Sequence, residues 1–294
     1  RVINRSLWAP GSPRAHFVFA FRLAMSAPGE CCSMQRPTDR NHRPHLMEAF
    51  WDFLRSLNDA YGINLVQFYD DFERTRLLRG MWTTIKLAVI CIGLSVIIGI
   101  IGAWLQGSRH RILKAIVQGY IQFFRNTPPL VQMYFFYFAL GPQMPRVVNE
   151  YGIAQPMLGS FEWAVISLSF FAGAFNVEIF RSGIEAVQKS TIEAAESLCF
   201  NRWQTYWYVI LPLAVRFCLP ALNNNLVNLA KTTTQAYAIA VPETLYVASQ
   251  IWSDHINVFE MMITLLTFYL LLVGVIVWLM TRLERALAIP GYGR

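Results

Sequence analysis

Long apolar stretches separated by short polar segments dominate most of this chain. Leu87–Leu105 and Met261–Met280 contain no charged residue. About 20 apolar residues in a helix cross the hydrocarbon core of a bilayer, so each stretch predicts a transmembrane helix. In the first stretch, Ser95, Gly99 and Ala103 stand four residues apart. Small residues at this spacing predict the close approach of another helix.

Three further apolar segments carry polar interruptions. The second span is divided by Arg125–Pro129, the third covers about Phe161–Phe180, and the fourth begins at Leu213 and runs into a polar cluster before Val241. Proline removes a backbone donor, so the interrupted segments must be satisfied by protein or by water in a cavity. We therefore predict an all-α, polytopic membrane protein with about five transmembrane helices and a bent fourth span flanked by half-helices.

A polar, helix-prone segment, Lys189–Pro212, separates the third and fourth spans. Ser190 and Glu193 have the spacing of a capping box, which predicts the start of a short helix. Asn201 and Gln204 repeat that spacing, so a second short helix is predicted to begin there, with Pro212 disrupting or redirecting it. The two helices could lie on the membrane surface and offer a ridge of small residues to a partner, but spacing alone favours an ordinary capped helix–turn–helix linker.

Residue order within this segment resembles the EAA loop of permease subunits of binding-protein-dependent ABC importers. The matching positions are Glu193, Ala194, Ala195, Cys199, Leu211 and Pro212. The family has glycine at the position of Cys199, where it permits a left-handed turn between the two helices. Because a side chain makes that conformation costly, Asn201 is an alternative place for the turn.

Two other segments are similar to the polar amino acid branch of these permeases, which includes histidine, glutamate, glutamine, arginine and opine systems. They are FFRNTPPLVQMYFFYF in the second span and NVEIFRSG at the end of the third. A weaker similarity runs from Lys231–Thr234 to Glu243. The resemblance covers about Leu77–Arg294 and implies that the loop at Glu193 is a cytoplasmic coupling loop between the third and fourth spans.

The resemblance also implies the partners. A cytoplasmic ABC ATPase dimer docks on the coupling loop, a second permease subunit, identical or different, completes the pore, and a periplasmic amino-acid-binding protein delivers the solute. ATP and Mg²⁺ belong to the ATPase subunits, and this chain has no Walker A sequence. We therefore expect no cofactor, metal or catalytic residue here: the chain is a transport subunit, not an enzyme.

Charge supports a membrane protein and suggests its orientation. Only 15% of the residues are charged, and the formal net charge is +7. Basic residues gather at 109–114, 181–202 and 282–294, whereas the intervening loops Gly141–Ser160 and Ser249–Asn257 carry Arg146 alone. Cytoplasmic loops are enriched in Lys and Arg, so we predict a multi-pass protein of the bacterial inner membrane with a cytoplasmic C-terminus and an N-terminus outside.

One group of charges conflicts with this orientation: Arg74, Arg76 and Arg79 precede the first span on the side that should be poor in basic residues. The net positive charge is explained by loops at the membrane, so we expect the bilayer rather than nucleic acid as the partner of the basic surface.

The segments before the first span differ from the rest. Residues 1–45 mix Arg and Pro, and we expect a disordered extension or upstream sequence translated in error, with the start at Met34 or Met47. Residues 46–80 place apolar side chains at helical spacing, which predicts interfacial amphipathic helices. Residues 81–294 are predicted to form the transmembrane domain.

Polar side chains at membrane depth are candidates for a solute path. They are Arg125, Asn126, Glu178, Asn225, Lys231 and Thr234. Amides, hydroxyls and charged groups could hold the carboxylate and amino groups of a zwitterion. Structural explanations stay open: a simple kink at Arg125–Pro129, a Glu178–Arg181 pair at the inner interface, and interhelical hydrogen bonds within the polar cluster.

The sequence therefore predicts the permease subunit of an ABC importer for polar amino acids. An ion-coupled secondary transporter is the alternative; it would need a relay of ionisable residues in mid-span, and only Glu178 and Lys231 approach that. A membrane-embedded enzyme or scaffold would need clustered His, Asp or Glu residues, but the five histidines are dispersed.

Overall fold

The computed structural model describes residues 51–52, 54–56, 62–108, 110–148, 150–152 and 154–287. The predicted extension 1–45 lies outside these residues. The helices in chain order are α1 Val66–Tyr69, α2 Asp71–Gln106, α3 Arg111–Asn126, α4 Pro129–Tyr134, α5 Ser160–Glu185, α6 Lys189–Ser197, α7 Arg202–Thr205, α8 Leu211–Thr232, α9 Thr244–His255 and α10 Val258–Leu287.

Shorter elements join these helices. π-helical turns cover Phe135–Leu140 and Tyr206–Ile210, and 3₁₀ turns cover Gly141–Gln143 and Thr233–Ile239. The loop predicted between the second and third spans contains a small antiparallel hairpin, β1 Arg146–Val148 and β2 Ala154–Pro156, with Val147 opposite Gln155. All six strand residues are exposed.

The prediction of an all-α polytopic membrane protein is confirmed. Within the described residues, four helices are long and apolar enough to cross a membrane: α2, α5, the continuous helix Arg202–Ile239, and α10. The second predicted span is the broken pair α3 and α4, which are separated at Thr127–Pro128. The structure therefore shows four candidate spans within the described residues, and the broken pair stands where the second span was predicted.

The first and third spans, α2 and α5, pack along small residues. A Cβ added at Gly99 would lie 2.4 Å from Asn176 Cβ, and one added at Gly102 would lie 2.3 Å from Val177 Cγ2. Ser95 Oγ accepts a hydrogen bond of 3.2 Å from Asn176 Nδ2. The predicted small-residue stripe therefore faces α5, as its spacing indicated.

The first span is longer than predicted. It begins at Asp71, so Phe72 and Arg76, which we expected in a separate interfacial helix, belong to α2. Asp71 and Glu73 lie in its first turn, where carboxylates interact favourably with the helix dipole. Between Asp71 and Gly107 the chain contains no proline, and no glycine ends the helix. The charged first turns and the apolar span therefore form one helix.

The prediction of a loop at Ser249–Asn257 is wrong, because α9 continues to His255. Its start is fixed by Glu243, whose carboxylate accepts hydrogen bonds from the backbone N–H groups of Leu245 and Tyr246, both 2.9 Å. The helix ends where Ile256 adopts a left-handed conformation. The connection to α10 is thus only two residues, Ile256 and Asn257.

A polar cluster joins the start of α2 to the end of α9. The Arg76 guanidinium lies 3.3 Å from the Glu73 carboxylate and 3.4 Å from that of Asp254. His255 Nε2 lies 3.3 Å from the other oxygen of Glu73, which is buried. Arg74 also forms an ion pair, with Asp71. Two of the three arginines that conflict with the charge rule are therefore paired with acids.

Substitution at Gly102 tests the close contact between α2 and α5. We expect Gly102→Ala to lower the stability by about 1–3 kcal/mol, because the added methyl overlaps Val177. Thermal unfolding in detergent, followed by tryptophan fluorescence, would measure the change. Gly93→Ala on the same helix is the matched control, since a Cβ there meets nothing within 4 Å.

Val177→Ala supplies a second check on the same contact. In the Gly102→Ala/Val177→Ala double variant, the loss of stability should be smaller than the sum of the losses in the two single variants. The reason is that all three atoms closest to a Cβ at position 102 belong to Val177. Equal stability of Gly102→Ala and Gly93→Ala would contradict this account of the packing.

Candidate coupling surface and solute path

The first helix of the predicted coupling loop, α6, begins two residues earlier than its sequence signal suggested. Gln188, in an extended conformation, is the N-cap residue, and its side chain makes no capping bond. Ser190 already lies inside the first turn, so the predicted Ser190–Glu193 capping box is wrong. A capping residue needs non-helical backbone dihedrals, and here that backbone conformation occurs at Gln188.

The turn after α6 occurs at Cys199 itself. Cys199 has φ 62° and donates its N–H to Glu196 O at 2.9 Å, while Phe200 N–H reaches back to Ala195 O at 3.2 Å. These bonds satisfy carbonyls at the end of the helix, as left-handed C-terminal turns do. The alternative turn at Asn201 is wrong, since that residue is extended with φ −74°.

Asn201 is unavailable for the turn because it caps α7. Its Oδ1 accepts from Gln204 N–H at 2.8 Å, and Gln204 Oε1 accepts from Asn201 N–H at 2.9 Å. The predicted capping box at these two residues is confirmed. Two adjacent caps thus fix the angle between α6 and α7.

One face of α6 is open to a partner. We define the coupling surface as Glu193, Ala194, Ser197 and Leu198, all of which are exposed. Ala195 is buried on the opposite side. Leu198 is 72% exposed and was not singled out from the sequence. Its position four residues after Ala194 is the signal that places it on this face.

Pro212 does not end the helix that leaves the loop. The π turn Tyr206–Ile210 precedes it, and Pro212 lies in the first turn of α8. The wider π turn accommodates the missing N–H, and the helix continues from Arg202 to Ile239. Leu211 is half-buried and Pro212 is exposed. Movement of α7 can therefore be transmitted directly to the fourth span.

Two of the solute-path candidates form an ion pair. Arg125, at the end of α3, contacts the Glu178 carboxylate on α5, and its guanidinium carbon lies 5.2 Å from the centre of the Phe175 ring. Asn126 donates to Gln122 Oε1 at 2.9 Å on its own helix and is exposed. The Glu178–Arg181 pair, which the sequence left open as a structural explanation, is not formed: Glu178 pairs with Arg125, and Arg181 pairs with Glu185.

Gln132 stabilises the break in the second span, a role that the sequence analysis missed. It is buried, and its Nε2 lies 2.9 Å from both Phe124 O and Thr127 O and 2.6 Å from Thr127 Oγ1. The prolines leave these carbonyls without helical donors, and a buried unpaired carbonyl is costly. The position of Gln132, three residues after the proline pair, was the feature of the sequence that could have indicated this role.

Asn225 belongs to a buried chain of polar groups across three helices. Its Nδ2 donates to Ala172 O at 3.1 Å and to Asn176 Oδ1 at 2.7 Å, and Asn176 in turn donates to Ser95. This geometry favours the interhelical explanation for Asn225 over direct solute contact.

The end of the fourth span is arranged differently. Thr234 Oγ1 donates to Lys231 O at 2.9 Å, and Thr232 Oγ1 donates to Asn228 O at 2.8 Å, so these hydroxyls bond their own helix. Lys231 is exposed, and within the residues described no acid pairs with it. Its ammonium is therefore available to an anionic group.

A second buried acid, Glu243, was noted in the sequence only as part of the family pattern. It is fully buried, caps α9, and accepts a 3.2 Å hydrogen bond from the Tyr269 hydroxyl on α10. Thr84 on α2 lies 3.4 Å from the same oxygen and 2.7 Å from the Thr244 hydroxyl. Glu243 thus joins the first and last spans to α9.

Known proteins resemble this chain in sequence. The family described as "Binding-protein-dependent transport system inner membrane component" matches residues 49–289. The nopaline transport system permease protein NocM of Agrobacterium fabrum is 29% identical over 201 residues, covering 68% of this chain and 83% of that protein. The glutamine transport system permease protein GlnP of Escherichia coli is 30% identical over 213 residues, covering 72% and 93%.

Solved structures resemble the fold. An amino acid ABC transporter crystallised with histidines has a TM-score of 0.63 and 28% identity, covering 72% of this chain and 94% of that chain. An inward-facing MetNI methionine ABC transporter has a TM-score of 0.56 at 18% identity, which is a likeness of fold alone.

Replacement of Cys199 tests the left-handed turn. A non-glycine residue in this conformation costs about 1 kcal/mol or more, so we expect Cys199→Gly to raise the stability by about that amount. Cys199→Ser is the matched control, because it removes the sulfur but keeps the side chain and the cost. If both variants unfold at the same temperature in detergent, the turn is not strained.

Proposed function

Because this chain belongs to the family of binding-protein-dependent transport system inner membrane components, we propose that it is the permease subunit of an ATP-driven importer of polar amino acids. The observation that carries the proposal is the doubly capped pair α6–α7, which exposes Glu193 and Ala194 between two spans. The relatives named above, a nopaline and a glutamine transport permease, support polar amino acids as the solute class.

Coupling depends on α6 as a docking helix. Its exposed face combines one carboxylate with Ala194 and Leu198, and a short helix of this kind fits a groove on another protein. The partner is a cytoplasmic ATPase dimer, which holds ATP and Mg²⁺ and hydrolyses the nucleotide. When the dimer closes, it displaces α6 and α7, and the continuous helix Arg202–Ile239 carries the displacement into the membrane.

The transport mechanism is alternating access, in which the nucleotide state shifts the populations of two conformations. A periplasmic binding protein delivers the amino acid at the outer face, and a second permease subunit completes the path. The chain crosses the bacterial inner membrane several times, with the C-terminus in the cytoplasm and the N-terminus outside.

The solute path includes the broken second span and the end of the fourth. Lys231 offers an ammonium group to the substrate carboxylate. Thr234, three residues after Lys231, offers a hydroxyl, and Asn126, next to Arg125, offers an amide. Arg125 and Glu178 neutralise each other, so they shape the path without a net charge. Asn225 holds α8 against α5.

An ion-coupled secondary transporter fits these contacts less well. A proton or sodium relay needs carboxylates that can exchange ions in mid-span. Glu178 is engaged by Arg125, and Glu243 is engaged by four hydrogen-bonding groups around the start of α9. Abolition of uptake by loss of ATP hydrolysis, rather than by collapse of the ion gradient, distinguishes the two mechanisms.

Charge reversal at Glu193 tests the docking surface. Glu193→Lys should leave the permease in the membrane but lower co-purification of the ATPase about tenfold or more, since an unpaired charge at an interface costs several kcal/mol. Glu284→Lys, the same change near the end of α10, is the control and should co-purify normally. Wild-type recovery of the ATPase with Glu193→Lys would contradict the docking role.

Lys231 and Asn225 should separate transport from stability. We expect Lys231→Ala to lower the uptake rate about tenfold, because the variant loses the free energy of one hydrogen bond to a charged group. The unfolding temperature should not change. Asn225→Ala should instead lower the stability by about 1–3 kcal/mol, because two buried hydrogen bonds are lost. Uptake in proteoliposomes and thermal unfolding of both variants would be measured together. Normal uptake by Lys231→Ala would remove this residue from the path.

A further inference from the structure

An apolar groove runs along the outside of the helices at the coupling-loop end. It is lined by Phe180 and Ile184 of α5, by Trp104 of α2, and by Trp203, Trp207 and Val215 of the helix leaving the loop. The groove has a volume of about 480 Å³. Trp104 and Trp203 are each 73% exposed, so no other described part of the chain covers its rims.

A second, more polar cavity of about 510 Å³ adjoins this groove. Ala103 and Ile184 line both spaces. The polar cavity carries the cationic groups of Lys114 and Arg181. Arg181 pairs with Glu185 at 3.3 Å, whereas Lys114 has no ion-pair partner in the part of the chain that the structure describes. An apolar space thus continues into one with an unpaired positive charge.

The depth of the two spaces matches a lipid interface. The groove lies where α2 and α5 end and α8 begins, beside the basic segment that follows Gly107. Indole rings prefer the boundary between hydrocarbon and headgroups, and three of them line this groove. A helix with its side chains is about 10–12 Å across, so a space of this volume does not admit one. A single acyl chain is slender enough to enter it.

We propose that the two spaces form one binding site for an anionic phospholipid of the cytoplasmic leaflet. An acyl chain lies in the groove between α2 and α8, and the phosphate lies in the polar cavity beside Lys114. The assignment of the leaflet rests on the proposed function and its orientation. A lipid held there fills the gap between the first span and the helix that leaves the coupling loop.

The test measures lipids retained by the purified full-length permease. The protein is equilibrated with equal amounts of phosphatidylglycerol and phosphatidylethanolamine in detergent, and retained lipids are counted by native mass spectrometry. We expect preferential retention of phosphatidylglycerol and a loss of about fivefold in Lys114→Gln, the effect of one basic residue near an anionic lipid. Arg111→Gln, on the same helix but not lining either space, should retain the wild-type amount.

A second pair of variants tests the acyl-chain groove. Val215→Trp should fill the groove and abolish retention, whereas Phe217→Trp, similarly exposed on the same helix but outside the groove, should not. Equal retention of the two lipids, or equal losses in Lys114→Gln and Arg111→Gln, would overturn the proposal by revealing a general surface attraction. Because the readout needs neither ATPase nor solute, failure here is distinguishable from failure of the proposed function.

Discussion

The close contact between α2 and α5 is the constraint on which the other helices depend. Lipid tails are as apolar as the side chains they replace, so helices associate in a bilayer through close packing and hydrogen bonds. Gly99 and Gly102 bring the α2 backbone against Asn176 and Val177. Asn176 then bonds Ser95 on one side and Asn225 on the other, so the same residue that needs the glycine contact also positions α8.

The spans and the break were predictable from sequence because they depend on local composition. A run of about 20 apolar residues crosses the bilayer as a helix, and a proline pair interrupts a helix wherever it occurs. Cap positions were less predictable, since they depend on backbone conformation: Ser190 has the right spacing but lies inside the helix. The length of α9 was also missed, because its cap, Glu243, was recognised in the sequence only as part of the family pattern.

Partners distant in sequence were the second source of error. The sequence showed Arg76 only as a conflict with the charge rule, whereas it pairs with Glu73, three residues away, and with Asp254, far along the chain. The rule counts Lys and Arg near the membrane whatever acids lie beside them, so these pairs explain the contacts of Arg76 and leave the conflict with the predicted orientation in place. Likewise, the sequence suggested a pair of Glu178 with the nearby Arg181, but Glu178 pairs with Arg125 at the end of α3, and Arg181 pairs with Glu185.

The distribution of satisfied and unsatisfied polar groups separates structural from functional candidates. The amide nitrogens of Gln132 and Asn225 and the carboxylate of Glu243 have hydrogen-bond partners, and each of these groups joins segments that the membrane would otherwise leave with unpaired groups. Glu193 and Lys231 differ, because each is exposed and has no such structural role within the described residues. Lys231 lies near the end of the continuous helix Arg202–Ile239, and Glu193 lies on α6, the short helix before it. In the proposed mechanism, one helix therefore connects the docking surface to the solute path.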